Sequence, residues 1–224
     1  MIGEKTLELL KQVLAESSYT VAICGSGMME EGGILGLKQE GRAYEIEQKY
    51  SESPEELFHI SCLSRRPERF YEFYREEILK KIPDMTPSVR ALARMEEEDK
   101  LQCIVTTNIF DLPEQVGCRN VIYLHGSIYK NRCPHCGRLY SMEEIRDSRH
   151  VPHCKNCKTM IRPGTSLRGD GGQQHHEPYH GGDSQGRRAP GAGNQSAVRG
   201  IQQLHTVLPG QEDGNYPPYT QAPG

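Results

Sequence analysis

The stretch TVAICGSGMMEEGG, Thr20 to Gly33, decides the fold class of this chain. Its first five residues, Thr20 to Cys24, carry no charge and read as a short apolar strand. Gly25 and Gly27 come next; glycines there permit a tight turn and let a ligand come close to backbone N–H groups. With a helix start behind it, the unit is strand, glycine turn and helix, which is a phosphate-binding geometry. A short glycine cluster alone also fits an ordinary βα loop, so the rest of the chain has to decide.

Upstream, Leu7, Leu10, Val13 and Leu14 recur at helical spacing and predict an opening helix. Downstream, Ser53 is a candidate N-cap, with Pro54 at the first helical position and Glu55 and Glu56 in the first turn. The run PERFYEFYREEILKKI continues the helical pattern. Its aromatic residues Phe70, Tyr71, Phe73 and Tyr74 are expected in a core, because the interleaved acidic residues argue against a stacking platform for nucleic acid. A helix is expected around Ala91 to Glu98, then an apolar strand in LQCIVTTN, and a further strand, NVIYLHG, that ends at His125. Helices alternating with unbroken apolar strands predict an α/β fold, a parallel sheet covered on both faces.

A chain of 224 residues has room for one core with a small satellite module. The net charge of -3 gives no basic field, so neither nucleic acid nor an anionic membrane surface is expected as a partner. No run approaches the roughly 20 apolar residues of a spanning helix, and the start lacks the order of a signal peptide. A cytoplasmic protein is expected; its oligomeric state is left open.

The chain has eight cysteines. Cys24, Cys62, Cys103 and Cys118 are scattered and read as buried thiols. Cys133 and Cys136 form one C-x2-C pair and Cys154 and Cys157 another, with 17 residues between the pairs. That is the spacing of a zinc ribbon, in which four thiolates fill a tetrahedral ion and leave no open position for substrate. Structural Zn2+ is expected there. His135, His150 and His153 are expected as exposed loop residues.

The glycine turn GSG, the segment TTNIFDLPEQVG, LHGS, the two cysteine knuckles and IRPG stand in an order and spacing that resemble the sirtuin family of NAD-dependent protein deacylases, in a divergent bacterial form. The resemblance runs from about Val21 to Leu167 and implies a Rossmann-like sheet with NAD as cofactor. It puts Gly25, Ser26 and Gly27 at the dinucleotide phosphates, Asn108 near the nicotinamide ribose, and His125 in the place of the catalytic histidine. The implied reaction is attack of the acyl oxygen of a modified protein lysine on the ribose C1 position, with loss of nicotinamide. His125, as general base on the ribose hydroxyls, then leads to free lysine and O-acyl-ADP-ribose. An imidazole with an ordinary pKa near 6.5 suits that role.

The chain departs from the family at several positions. Met29 replaces a serine, and Leu37 and Lys38 stand for the phenylalanine and arginine of the cofactor loop. Thr107 replaces a glutamine, and Phe110 displaces the aspartate at the nicotinamide amide, with Asp111 one place later. Lys38, Thr107 and Asp111 are therefore carried as cofactor-site candidates. Lys38 keeps a charge without arginine's bidentate geometry.

These readings divide the chain into an NAD-binding part, residues 1–128 with a helical insert over about 39–82, and a zinc module, 129–162. The low-complexity tail, 168–224, is expected to be disordered. Twelve of the 23 glycines fall in the last 56 residues and no lysine occurs after Lys158. Joining each codon's last two bases to the first of the next lets LRGDGGQQ decode as FGEMVVNN, and lets the residues after it decode to a segment containing VLLVLGTN. A frame slip after about residue 167, leaving the sheet incomplete, is the expectation. Two other functions stay open: a catalytically dead zinc-ribbon scaffold, and a protein ADP-ribosyltransferase.

Overall fold

The computed structural model describes residues 3–170. The expectations of disorder and of a frame slip concern residues 168–224, of which 171–224 lie outside the described residues. Arg168, at the start of that tail as read from sequence, is tied down: its carbonyl accepts from the Ile60 N–H at 2.9 Å.

Three parallel strands form the sheet, β1 (Val21–Cys24), β2 (Cys103–Thr106) and β3 (Val121–Tyr123), in the order β1-β2-β3. The register sets Ile23 beside Val105 and Val105 beside Ile122. β3 stops at Tyr123, two residues short of the expected end, and His125 sits in the turn beyond it. The physical reason is Gly126, whose φ of +68° turns the chain out of the strand.

The opening helix α1 (Glu4–Glu16) forms as its periodicity predicts, yet none of its residues is buried. Side chains of alternate sheet residues explain part of this. Ala22, Cys24, Ile104 and Val121 face the helix later in the chain over Pro87–Glu97 and pack with its Ala93, Leu92 and Met95. On the opposite face Val105 is buried, but Ile23 is 84% exposed and Val21 37% exposed. Coverage of both faces therefore holds at β2 and fails at β1.

Between β1 and β2 the chain is helical. α2 (Gly27–Glu31) starts in the glycine turn, then come α3 (Glu40–Tyr50), α4 (Pro54–Leu57), α5 (Ile60–Arg65), α6 (Pro67–Phe73) and α7 (Pro87–Glu97). Ser53 caps α4 in a reciprocal box with Glu56, as the sequence predicts. The run after Pro67 differs from expectation, because past Phe73 it widens into a π-helix over Tyr74–Leu79. Phe70, Tyr71, Phe73 and Tyr74 are wholly buried; Phe58, Phe70 and Tyr74 stack on one another, Tyr71 meets Phe70 and Tyr74 edge-on, and Phe73 lies tilted against Phe58. Each such burial contributes roughly 1.5–3 kcal/mol.

After the short α8 (Leu112–Gln115) and β3, a hairpin of β4 (Asn131–Arg132) and β5 (Leu139–Tyr140) leads to α9 (Met142–Arg146). Cys133, Tyr140, Met142, Ile145, Cys154 and Ile161 share one core with the aromatic helices. The Tyr71 hydroxyl donates to the Ile161 carbonyl and ties the two parts together. Among the described residues, no helix is long and apolar enough to cross a membrane.

Candidate functional site

The carboxyl ends of the three strands bring the sequence candidates together. Gly25, Ser26 and Gly27 directly succeed β1. The Thr107 N–H donates to the Cys24 carbonyl at 3.1 Å, and the Leu124 N–H to the Thr106 carbonyl at 2.9 Å. The glycine turn, the Thr107–Asn108 pair and the His125 turn are thus adjacent along one edge, where open α/β sheets hold their ligands.

Gly25 and Gly27 are not required by backbone conformation, since neither takes a positive φ. A Cβ on either would meet nothing within 4 Å. The backbone in front of both is open, which suits close approach of a pyrophosphate. Met29 and Leu37, two of the departures from the family pattern, pack against the main core. Lys38 is exposed on the loop before α3, and among the described residues no hydrogen bond or ion pair joins it to the strand-end groups.

Asn108 is buried, 3% exposed, and its N–H donates to Thr106 Oγ1 at 3.0 Å. Its side-chain oxygen Oδ1 has no partner among the described residues. A buried amide oxygen left bare costs about 1–3 kcal/mol, so this atom is set to receive a donor from a ligand or water.

Phe110 is buried in the core, and the carboxylate stands one place later, at Asp111. Asp111 adopts the left-handed conformation, φ +49°, and makes no side-chain cap to α8. Its Oδ2 instead accepts the Ser127 hydroxyl at 2.6 Å, while its Oδ1 is buried without a partner. Burial pushes the Asp111 carboxyl up to about 6, opposed by the Ser127 hydrogen bond and by the ammonium of Lys130, 3.9 Å away. Lys130 also pairs with Glu114 at 3.1 Å and lies over the Tyr123 ring. Burial, and then the Asp111 charge, raise the Tyr123 phenol.

His125 is exposed, and its carbonyl accepts from the Ser166 N–H at 2.9 Å. The turn around it is fixed on both sides. The Ser127 N–H donates to the Gly164 carbonyl at 3.0 Å and the Ile128 N–H to the Ile109 carbonyl at 3.0 Å. Ser127 stands in the LHGS motif, where the sequence alone assigned it no role; a serine beside a candidate base was the available signal.

The four cysteines expected as ligands converge, with all Sγ atoms within 4.8 Å of one another. Cys133 and Cys157 sulfurs are 3.4 Å apart and those of Cys136 and Cys154 3.5 Å. A tetrahedral zinc with bonds of ~2.3 Å needs sulfurs about 3.8 Å apart, so the quartet fits. Both knuckles have the same turn: the Gly137 N–H returns to the Cys133 carbonyl at 3.0 Å and the Lys158 N–H to the Cys154 carbonyl at 2.9 Å. The Tyr140 hydroxyl, with the backbone N–H of Cys157, lowers the Cys154 thiol to about 5, toward the thiolate a metal requires. Cys24, Cys62, Cys103 and Cys118 are all buried, and burial raises their thiols. His135, His150 and His153 are exposed.

Comparison with known proteins gives a consistent picture. The profile of the Sir2 family matches residues 25–181. An NAD-dependent protein deacetylase of Cutibacterium acnes is 37% identical over 160 residues, covering 70% of this chain and 64% of the relative. One of Clostridium acetobutylicum is 34% identical over 163 residues, covering 72% of this chain and 66% of the relative. The chain therefore spans just under two thirds of the length of these relatives. A solved complex of Sir2 with a p53 peptide and NAD+ superposes with a TM-score of 0.59 at 30% identity, over 75% of this chain and 65% of that one.

Proposed function

The chain belongs to the Sir2 family, and on that premise we propose that it acts as an NAD-dependent protein lysine deacylase, releasing nicotinamide and O-acyl-ADP-ribose. The observation that carries this reading is the adjacency of the glycine turn, Asn108 and His125 at the carboxyl ends of three parallel strands.

When bound, NAD supplies the glycosidic bond whose cleavage frees nicotinamide and leaves an ADP-ribose acceptor for the acyl group. The backbone of Gly25 to Gly27 receives the pyrophosphate, supported by the open space in front of both glycines. Asn108 offers its unpartnered Oδ1 to a donor of the ligand. His125 takes a proton from a ribose hydroxyl; an exposed imidazole on a turn held by backbone hydrogen bonds suits that role. Lys38 and Thr107 remain cofactor-contact candidates on the strength of the family resemblance, and Asp111 fixes Ser127 in the turn that carries His125. Cys133, Cys136, Cys154 and Cys157 would hold Zn2+ as a brace for the module that buttresses the turn, and four thiolates would leave it a structural role only. The substrate is an acylated lysine of a protein or peptide. The cytoplasm is the assigned compartment, supported by thiols that stay reduced there.

The test is nicotinamide release from the zinc-loaded chain with NAD and an acetyl-lysine peptide. Release that needs both reagents supports the reading. Release with NAD alone, a chain that ADP-ribosylates protein, or no release overturns it.

A further inference from the structure

Arg42 is a charged residue in an apolar place. It stands on α3, 8% exposed, and burial pulls its guanidinium below the usual arginine range. Its two terminal nitrogens go to backbone carbonyls of two separate segments. Nη1 donates to the Leu35 carbonyl and Nη2 to the Glu77 carbonyl at 2.5 Å.

Each acceptor has a local reason to be available. Glu77 lies in the π-helix, where the Lys80 N–H reaches back to the Arg75 carbonyl at 3.0 Å and the Lys81 N–H goes to the Ile78 carbonyl at 3.2 Å. That irregular register passes over the Glu77 carbonyl and leaves it to Arg42. The Glu77 side chain turns elsewhere, to Lys49 at 2.8 Å and Lys81 at 2.5 Å. Leu35 is half-exposed, so its side chain cannot anchor the loop around it. The loop is held through its carbonyl, by the Gln39 N–H on the Gly36 carbonyl at 3.0 Å, and by Leu37 against the core.

We infer that Arg42 is a positioning residue that clamps the Leu35–Lys38 loop to the helical insert, using a carbonyl that the π-helix frees, and so sets affinity for NAD. This rests on the deacylase reading, in which Lys38 on that loop meets the cofactor. The planar fork presents a separate nitrogen to each carbonyl in a fixed geometry; a lysine ammonium at the same position is a single point donor without that pre-set spread.

The test compares the full chain with Arg42→Lys and Lys49→Met. Hydrogen exchange of amides over 33–39 and the KM and kcat for NAD in nicotinamide release are measured together. Lys49→Met removes a neighbouring ion pair and leaves the clamp intact, so it controls for charge and stability. For Arg42→Lys, loop exchange should rise about tenfold with the Phe70 to Tyr74 amides unchanged, and KM for NAD should rise about tenfold with kcat within about threefold. Lys49→Met should move neither. Unchanged loop exchange in Arg42→Lys overturns the clamp. Faster loop exchange with unchanged KM overturns the link to NAD. A wild-type chain that releases no nicotinamide sinks the deacylase reading and the cofactor role together, while the exchange data still report the clamp itself.

Discussion

The Ser127 hydroxyl donates to Asp111 across 2.6 Å and so joins the turn that carries His125 to the loop that carries Asn108. Ser127 Oγ also accepts from the Tyr129 N–H at 3.1 Å, which leaves it no freedom to rotate. The two candidate functional groups are held by this link and by the Ile128 to Ile109 backbone bond.

The Asp111 link makes stability depend on pH in a definite direction. The folded carboxyl sits at about 6, above the ordinary aspartate value near 4, so between those values the native state holds a proton that the unfolded chain has lost. Stability therefore falls as pH rises through that window and stays lower above it. Asp111→Asn removes the dependence. Urea midpoints of wild type and variant at pH 4.5 and 7.5 should diverge, with the variant gaining relative to wild type at the higher pH. A constant difference would refute the raised carboxyl.

Loss of the base should leave the fold alone. His125→Ala should reduce formation of the deacylated lysine peptide by about 10²–10⁴-fold, since the base acts after nicotinamide has left, with zinc content unchanged. Metal analysis beside the rate assay checks both, and full activity would sink the assignment.

Gly126 has a steric reason to be glycine. Its φ is +68°, and a Cβ would run into the Gly164 carbonyl oxygen. Gly126→Ala should cost more than about 2 kcal/mol in a denaturant titration and misplace the His125 turn. A variant as stable as wild type would mean the turn yields.

Removing one zinc ligand should be felt beyond the metal. Cys133 is in the core shared with the aromatic helices, so Cys133→Ser should lose zinc and lower the melting temperature of the whole described unit. A metal-free variant with wild-type melting would separate the module from the core.

Much of this is legible in the chain and some is not, for physical reasons. The cysteine spacing and the Ser53 box announce themselves because they act through neighbours a few residues away. The aromatic run predicts burial, but the π-helix beyond it gives a carbonyl to Arg42, which lies 35 residues upstream and carries no local sign of that bond. Ile23 reads like any buried strand residue, since exposure is decided by what packs on β1 and not by its own side chain. Asp111 enters the cofactor site by resemblance alone; its bond to Ser127 depends on a left-handed backbone that aspartate adopts only in a minority of settings.

The pairing of Val21 with Cys103 also sets an order of events during folding. Contacts between successive helices such as α5 and α6 close short loops, whereas β1 and β2 meet only after a loop of about 80 residues has closed. Loop-closure entropy therefore disfavours the sheet relative to those local helix contacts. Until the strands pair, their carboxyl ends share no common edge, so the candidate site exists only once the sheet has formed.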